Sequence, residues 1–414
     1  MMDQSAARDI LRESMLAKIV ELSAAAGPLE NLTDKYFSHT RRIAEINGDQ
    51  EVTYAIFLRR RIVAAIEPAL RLLAWYCPEA RVKRFFAEGE IVPAQNKLIE
   101  ITGPFAKLTE IETLLLQKIG FPCVCANNAY DMCRALPYAG FLDMHARHAT
   151  GPEMNLLAAY GASVGSEAAR AEHPETRGFI GSSQDITAPF YGAKAGSGTM
   201  PHALVGYANG DVLEATKLFA RVNEDAVMIT ALVDYNGREV DDSVRCARWF
   251  YDEAKLHEQG RSFSVRLDTH GGRFAQGLDY EKSVETVGEW LGVEGEYNIV
   301  ERVLGVRAFQ LDAANILTDQ VRRILFGKGV SAANIIHVRR ALDKAGYPQA
   351  KIVASSGFDT QKCLVMGGAK VPVDVVGTGS FLPERLQETY ATADIIAYDG
   401  VKRVKVGREF LLED

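Results

Sequence analysis

The sequence lacks three features that would assign it to a membrane, secreted or nucleic-acid-binding class. No apolar run approaches the roughly 20 residues that a membrane helix needs, and the opening residues, MMDQSAARDILRESM, contain no apolar segment of signal-peptide length. Basic residues form no long tract, and the formal net charge is -7 at pH 7, which argues against a nucleic-acid platform. We therefore expect a cytoplasmic protein that binds neither membranes nor nucleic acids.

Cysteine is also scarce. The chain contains six cysteines: Cys77, Cys123, Cys125, Cys133, Cys246 and Cys363. One Cys-x-Cys pair occurs without a second pair to complete a zinc site. We predict reduced, mostly buried thiols and no metal-ligating side-chain cluster.

What the sequence does contain is apolar residues along its whole length. Hydrophobic residues make up 47% of the chain and charged residues 24%, which indicates a packed interior. Because 414 residues exceed the usual size of one compact core, we expect either a large and a small domain or one elaborated barrel.

The hydrophobic pattern changes near residue 140. Before it, the pattern predicts helices over 1–26, 55–75 and 108–119 and strands within 81–92 and 97–104. After it, strands are predicted within 177–183, 226–234, 262–268, 351–356 and 371–377, with helices over 240–254 and 335–345 between them. Residues 294–328 have helical character without a strand. Repeated strand-then-helix units indicate a parallel sheet or barrel, whose polar strand ends converge on one face.

Two turns after predicted strands have the composition of phosphate-binding loops. In Val375–Phe381, two glycines, a threonine and a serine follow an apolar strand, so that successive backbone N–H groups could face an anion. The alternative is a tight turn without a ligand. Ser355–Asp359 ends the preceding strand in a similar way, and its alternative is a helix N-cap.

Two further segments carry ionisable side chains. His202 follows a loop of small residues and could act as acid, base or nucleophile, although a lone histidine is usually an ordinary surface or core residue. Arg266 and Asp268 lie two residues apart at a strand end, which puts them on the same side of the strand. The alternative is a purely structural ion pair.

Together these segments resemble the nicotinate phosphoribosyltransferases in order and spacing over residues 31–385. The matching segments are Leu32–Tyr36, Asp143–Arg147, Gly181–Ser183, Ser197–His202, Arg266–Asp268, Ser355–Asp359 and Gly377–Ser380. Within that family, these segments most resemble the archaeal-like branch. The resemblance implies the type II phosphoribosyltransferase fold, an irregular α/β barrel with a smaller α+β domain built from both chain ends. We divide the chain into an N-terminal arm and α+β domain (1–140), the barrel (141–380) and a C-terminal segment that rejoins the first domain (381–414).

The resemblance also implies roles for individual residues. Tyr36 corresponds to the aromatic that stacks on the pyridine ring from the neighbouring subunit, which implies a homodimer with shared active sites. Arg147 corresponds to the arginine that grips the ring carboxylate. Ser183 stands where the nicotinamide-using enzymes carry an aspartate; because a serine can donate to a carboxylate, it favours the acid.

For the ribose and phosphate groups, the resemblance implies a second set of residues. Arg266 and Asp268 line the ring and ribose, Thr199 is expected to bind substrate, and His202 aligns with the histidine that ATP phosphorylates. The residues expected to hold the ribose 5-phosphate are Ser356, Gly357, Gly377, Thr378, Gly379 and Ser380.

The sequence departs from the family pattern in two places. The family reads Arg-Leu-Asp-Ser-Gly-Asp, whereas Thr269–Gly271 follow Asp268 here, so the second acid is missing. The phenylalanine, glycine and second arginine that usually follow the equivalent of Asp143 are replaced by Met144, His145 and His148.

The function implied is transfer of ribose phosphate from phosphoribosyl pyrophosphate to nicotinate in NAD salvage, with Mg2+ on the pyrophosphate and ATP as co-substrate. The alternatives are a nicotinamide or quinolinate phosphoribosyltransferase, or a catalytically silent nucleotide-sensing protein of the same fold.

Overall fold

A computed structural model describes residues 4–305 and 316–413. The N-terminal part is a mixture of helices and short strands. Its helices are α1 (Gln4–Ala25), α2 (Lys35–Asn47), α3 (Glu67–Tyr76) and α4 (Phe105–Ala135), and its strands are β1 (Glu51–Leu58), β2 (Ile62–Val63), β3 (Arg81–Arg84), β4 (Ile91–Val92) and β5 (Lys97–Pro104).

Both chain ends contribute to one antiparallel sheet. The last strands, β12 (Ala391–Tyr398) and β13 (Val401–Lys402), complete a five-stranded sheet of order β13-β12-β1-β5-β3. In its register, Val52 lies opposite both Tyr398 and Gly103. The prediction of helix over 55–75 was wrong in its first part, because Glu51–Leu58 is a nearly continuous buried run of β-branched and aromatic residues that pairs on both sides. The helix begins only at Glu67.

Helix α4 lies behind this sheet and is much longer than the predicted segment 108–119. It continues through Pro122 and packs against α5 (Pro152–Glu172). Gly161 and Gly165 of α5 allow this approach, because a Cβ at either position would collide with the backbone of α4. The sequence pattern underestimated the helix because proline normally ends one.

The remaining strands form a six-stranded parallel sheet of order β7-β6-β11-β10-β9-β8, curled into an open half barrel. The strands are β6 (Gly140–Asp143), β7 (Phe179–Ser182), β8 (Met228–Leu232), β9 (Ser262–Leu267), β10 (Lys351–Ala354) and β11 (Val375–Thr378). Four of these strands lie within the predicted segments, β11 begins within its segment and ends one residue beyond it, and β6 was not predicted. The predicted fold class is confirmed.

Helices connect these strands. They are α6 (His202–Tyr207), α7 (Val212–Val222), α8 (Glu239–Arg248), α9 (Tyr280–Leu291), α10 (Glu296–Leu304), α11 (Ile316–Phe326), α12 (Ala332–Lys344), α13 (Thr360–Gly368) and α14 (Leu386–Thr389). The predicted helical segment 294–328 contains α10 and α11, and its residues 306–315 lie outside the described part of the chain.

The predicted state of the cysteines is confirmed, since all six are free and buried. No helix in the two described ranges is long and apolar enough to cross a membrane.

Candidate active site

The carboxyl edge of the parallel sheet gathers the polar residues predicted from the sequence. All six strands run in the same direction, so the segments that follow them lie along one edge. Residues contributed there by consecutive strands of the sheet include Ser183, Asp143, Thr378, Ser355, Asp268 and Asp234.

Arg266 is the centre of the hydrogen-bond network at this edge. Its guanidinium donates to Thr199 Oγ1 at 3.1 Å, to Ser355 Oγ at 3.0 Å and to Asp268 Oδ2 at 3.0 Å. Ser355 Oγ in turn donates to Asp268 Oδ1 at 2.9 Å. The structure therefore brings together three of the predicted site residues, Thr199, Arg266 and Asp268, in one largely buried cluster that fixes the orientation of the arginine.

The loop Ser355–Asp359 presents unused backbone donors. Ser356 and Gly357 have φ values of 80° and 70°, and the N–H groups of Ser356, Gly357 and Phe358 donate to no acceptor among the described residues. The alternative interpretation of this segment, a helix N-cap, is also confirmed. Asp359 caps α13 by accepting from the Lys362 N–H at 2.6 Å. Free amides followed by a helix N-terminus suit an anion.

The second loop is held close to the first and to the end of β6. Thr378 Oγ1 donates to the Phe358 carbonyl at 2.8 Å. A Cβ added to Gly377 would lie 2.7 Å from Met144 Sδ, and one added to Gly379 would lie 2.6 Å from the Met144 carbonyl carbon. At Gly379 the backbone of Met144 leaves no room for a Cβ, whereas at Gly377 a Cβ would meet only the flexible end of the Met144 side chain. Neither glycine has a left-handed backbone.

His145, one of the departures from the family pattern, joins the same two strand ends. Its Nδ1 lies 2.8 Å from the Gly379 carbonyl oxygen, which can only accept, so Nδ1 carries the proton. Asp143 beside it is buried, and its carboxylate accepts from the His145 N–H and the Tyr191 hydroxyl. Burial raises the pKa of Asp143, an effect that these two hydrogen bonds partly offset.

The imidazole of His202 meets an acid that the sequence analysis did not single out. Nε2 lies 3.1 and 3.2 Å from the two carboxylate oxygens of Asp234, whose side chain is only 6% exposed. Burial raises the pKa of Asp234, His202 opposes that shift, and nearby Asp268 adds to it. The signal was present, because Asp234 ends the predicted strand segment 226–234 as Asp268 ends 262–268.

The altered segment after Asp268 is ordered by a buried acid. Thr269, fully buried, donates to Glu239 Oε1 at 3.0 Å, and Arg273 forms an ion pair with the same oxygen at 2.6 Å. Arg273 also donates to the Asp234 carbonyl at 2.8 Å. The segment without the family's second acid is thus a fixed part of the wall beside Asp234.

The three residues predicted to bind the ring are exposed, and only two of them lie at the sheet edge. Arg147 and Ser183 follow neighbouring strands, and the Ser183 N–H donates to the Asp143 carbonyl at 2.8 Å. Within the described residues, Arg147 makes no hydrogen bond or ion pair. Tyr36 instead lies on α2, which packs on α4; its side chain is 62% exposed and donates to Asp34 at 3.1 Å.

The described residues contain no group of three or more histidine, cysteine or acidic side chains placed to hold a metal ion.

Parts of the chain are similar in sequence to known proteins. Residues 34–123 match the family described as quinolinate phosphoribosyl transferase, N-terminal domain. The nicotinate phosphoribosyltransferase pncB2 of Mycobacterium tuberculosis is 24% identical over 323 residues, covering 77% of this chain and 52% of that protein. The chain thus spans about half the length of the curated relatives it matches.

Solved structures show the same fold. The nicotinate-nucleotide pyrophosphorylase of Pyrococcus furiosus aligns with a TM-score of 0.62 at 24% identity, over 91% of this chain and 77% of that one. Human nicotinic acid phosphoribosyltransferase aligns with a TM-score of 0.52 at 16% identity, over 90% and 75% of the two chains. By its architecture and these alignments, the chain has the type II phosphoribosyltransferase fold, and its sequence is similar to that of a nicotinate phosphoribosyltransferase.

Proposed function

We propose that this protein transfers the phosphoribosyl group of phosphoribosyl pyrophosphate to nicotinate, forming nicotinate mononucleotide and pyrophosphate in NAD salvage. The observation that carries the proposal is the cluster of Arg266, Asp268 and Ser355 beside the loop Ser355–Asp359, whose unused N–H groups suit an anion. We expect this loop to hold the 5-phosphate and the cluster to contact the ribose and the reacting ring.

The ring end of the site favours a monocarboxylate. Arg147 is exposed and makes no ion pair within the described chain, so its guanidinium is available for two parallel hydrogen bonds to a carboxylate. Ser183 on the neighbouring strand end can add a hydroxyl donor, and it brings no negative charge that would repel the acid.

The reaction needs electrostatic stabilisation more than acid–base chemistry. The ring nitrogen of nicotinate is already a nucleophile, and positive charge develops on the ribose as pyrophosphate leaves. The Asp268 carboxylate, held by Arg266 and Ser355, is a fixed negative group beside that charge. Arg266 would balance the departing anion.

Mg2+ enters this scheme as part of the substrate complex with pyrophosphate. Such ions are usually bound by one or two carboxylates together with substrate phosphates, and when bound they neutralise the leaving group. Asp234 and Asp268, which are close enough to affect each other electrostatically, are the carboxylates that fit this role.

His202 would couple the reaction to ATP. If its Nε2–H donates to Asp234, the lone pair lies on Nδ1, which becomes the nucleophile toward the γ-phosphate. Asp234 would stabilise the positive charge that develops on the ring as the Nδ1–phosphate bond forms, the bond from the γ-phosphorus to the β–γ bridging oxygen breaks, and ADP leaves.

A second candidate, quinolinate phosphoribosyl transfer, is favoured by one observation, the match of residues 34–123 to the quinolinate enzyme's N-terminal domain. Quinolinate carries two carboxylates and should require a denser set of cations than Arg147 with Arg266. A nicotinamide-using enzyme is disfavoured by Ser183.

A single assay distinguishes these candidates. The purified protein is incubated with Mg2+, phosphoribosyl pyrophosphate and either nicotinate, nicotinamide or quinolinate, with and without ATP, and pyrophosphate release is followed. We expect release with nicotinate, and an Asp268→Asn variant serves as the control for contaminating enzymes. Preferred use of another ring would refute the substrate assignment, and binding of phosphoribosyl pyrophosphate without turnover of any ring would indicate a nucleotide sensor.

A further inference from the structure

Lys362 is a buried cation directly behind the anion-binding loop. The residue is only 9% exposed, and its ammonium donates to the Ser356 carbonyl at 2.8 Å. It also lies 4.3 Å from the centre of the Phe358 ring. Lys362 itself is not among the residues that the sequence predicted to bind phosphate.

The contacts of Lys362 act on the conformation of the loop. Ser356 is a non-glycine residue in the left-handed region, where its Cβ crowds the following carbonyl oxygen, so this conformation is strained. By holding the Ser356 carbonyl toward the interior, the ammonium leaves the N–H groups of Ser356, Gly357 and Phe358 without acceptors among the described residues. The lysine therefore supports the arrangement that would bind an anion.

We propose that Lys362 is a positioning residue for the phosphate of phosphoribosyl pyrophosphate, which orders the loop Ser355–Asp359 and makes anion binding depend on its own protonation. The inference deepens the proposed function and rests on it for the identity of the anion. Lys362 acts on the bound anion in two ways: its hydrogen bond to the Ser356 carbonyl orders the loop, and its positive charge attracts the phosphate.

The charges around Lys362 make this dependence measurable near neutral pH. Burial is the main cause that lowers its pKa, to about 8, and Arg323 of α11 lowers it further. The groups that oppose this shift are Asp359 and Cys363 on its own helix and Asp268 at the neighbouring strand end. A bound phosphate favours the charged amine, so binding raises the pKa of Lys362; affinity is then full below pH 8 and falls as pH rises through 8.

The test measures binding directly, so that it does not depend on turnover. The wild-type protein is titrated calorimetrically with phosphoribosyl pyrophosphate between pH 6.5 and 9.5 in buffers of different ionisation enthalpy. We expect proton uptake that is near zero at pH 6.5 and increases above pH 8. Absence of uptake across this range would overturn the proposal without any variant being needed.

Variants test the assignment to this residue. Lys362→Met should raise the Kd for phosphoribosyl pyrophosphate at pH 7 about tenfold, the loss of a hydrogen bond to a charged group, and should remove the decline of affinity above pH 8. Lys362→Arg should restore part of the affinity at pH 7 and keep it at pH 9.5, since arginine stays charged. The exposed Lys344→Met is the matched control, and thermal unfolding of each variant checks the fold.

The outcomes separate this inference from the proposed function. Wild-type affinity and pH dependence in Lys362→Met would refute the role of Lys362 alone. If the wild-type protein does not bind phosphoribosyl pyrophosphate, the proposed function and this inference both fail.

Discussion

Single residues at the edge of the sheet set which ring the proposed site would accept. Arg147 lies in a short 3-10 turn that follows β6, and it differs from Arg266 in having no protein carboxylate to neutralise it within the described chain. A free guanidinium has its full capacity for a ligand carboxylate, whereas a paired one would first have to give up its partner.

The first prediction follows from this difference. Arg147→Gln should lower kcat/KM for nicotinate, raising the corresponding activation free energy by about 1.5–3 kcal/mol, the cost of a lost charge-assisted contact. It should leave kcat/KM for nicotinamide nearly unchanged. Steady-state kinetics with both rings measures this. Arg177→Gln, an exposed arginine at the opposite end of β7, is the control; equal losses with both rings would mean that Arg147 does not read the carboxylate.

The second prediction concerns the pair His202 and Asp234. Asp234→Asn keeps the size of the side chain but removes the charge that would stabilise the phosphorylated imidazole, so ATP stimulation should fall while slow ATP-independent transfer remains. Incubation with γ-labelled ATP and mapping of acid-labile phosphate measures this, with His202→Ala as the negative variant. Asp225→Asn, an exposed acid before β8, controls for surface charge. Undiminished label in Asp234→Asn, or label outside His202, would contradict the assignment.

At the scale of elements, close packing of strand ends shapes the anion site. The third prediction compares two glycines that the loops use differently. Gly379→Ala would place a Cβ against the Met144 backbone, whereas Gly357→Ala meets no atom within 4 Å but has a φ of 70°. We expect overpacking in Gly379→Ala to lower the free energy of unfolding by up to about 3 kcal/mol. Backbone strain in Gly357→Ala should lower it by about 1–2 kcal/mol.

Met144 directly follows β6, and its N–H donates to the Thr378 carbonyl at 2.7 Å. We therefore expect Gly379→Ala also to weaken binding of phosphoribosyl pyrophosphate more than Gly357→Ala does. Denaturant unfolding and calorimetric binding of both variants measure the two effects. Equal effects of the two substitutions would show that Met144, at the end of β6, can shift to accommodate the added Cβ.

At the scale of the whole molecule, the position of Tyr36 sets the fourth prediction. Its exposed side chain lies on α2, which packs on α4. We therefore expect it to contribute to the pocket of a second copy. In a dimer with shared sites, mixing inactive Tyr36→Ala and Arg147→Ala subunits gives one pocket with both defects and one intact pocket.

We therefore expect the mixture to recover part of the activity after subunit exchange, which native mass spectrometry of differently tagged chains can verify. Wild-type chains mixed with each variant provide the matched control. If subunit exchange is verified and no activity returns, Tyr36 does not contribute to the active site of the partner subunit.

Local pattern by itself determined five of the six strands of the barrel and some of the helices after residue 140, because apolar strands with polar ends and helices of 3.6-residue period bury one face each. It also singled out Arg266, Asp268 and the two glycine loops, since these residues occur directly where strands end. The division into domains and the roles of the site residues stay predictions.

Only the tertiary structure decided the rest, because the deciding contacts join residues far apart in sequence. Glu51–Leu58 is a strand because β5 and the C-terminal β12 pair with it. Asp234 becomes the partner of His202, and Lys362 that of the Ser356 carbonyl, only when neighbouring strand ends and helix starts are brought together. Such partners carry no local periodicity, so the sequence could name the chemical groups at the edge of the sheet but not the pairs in which they act.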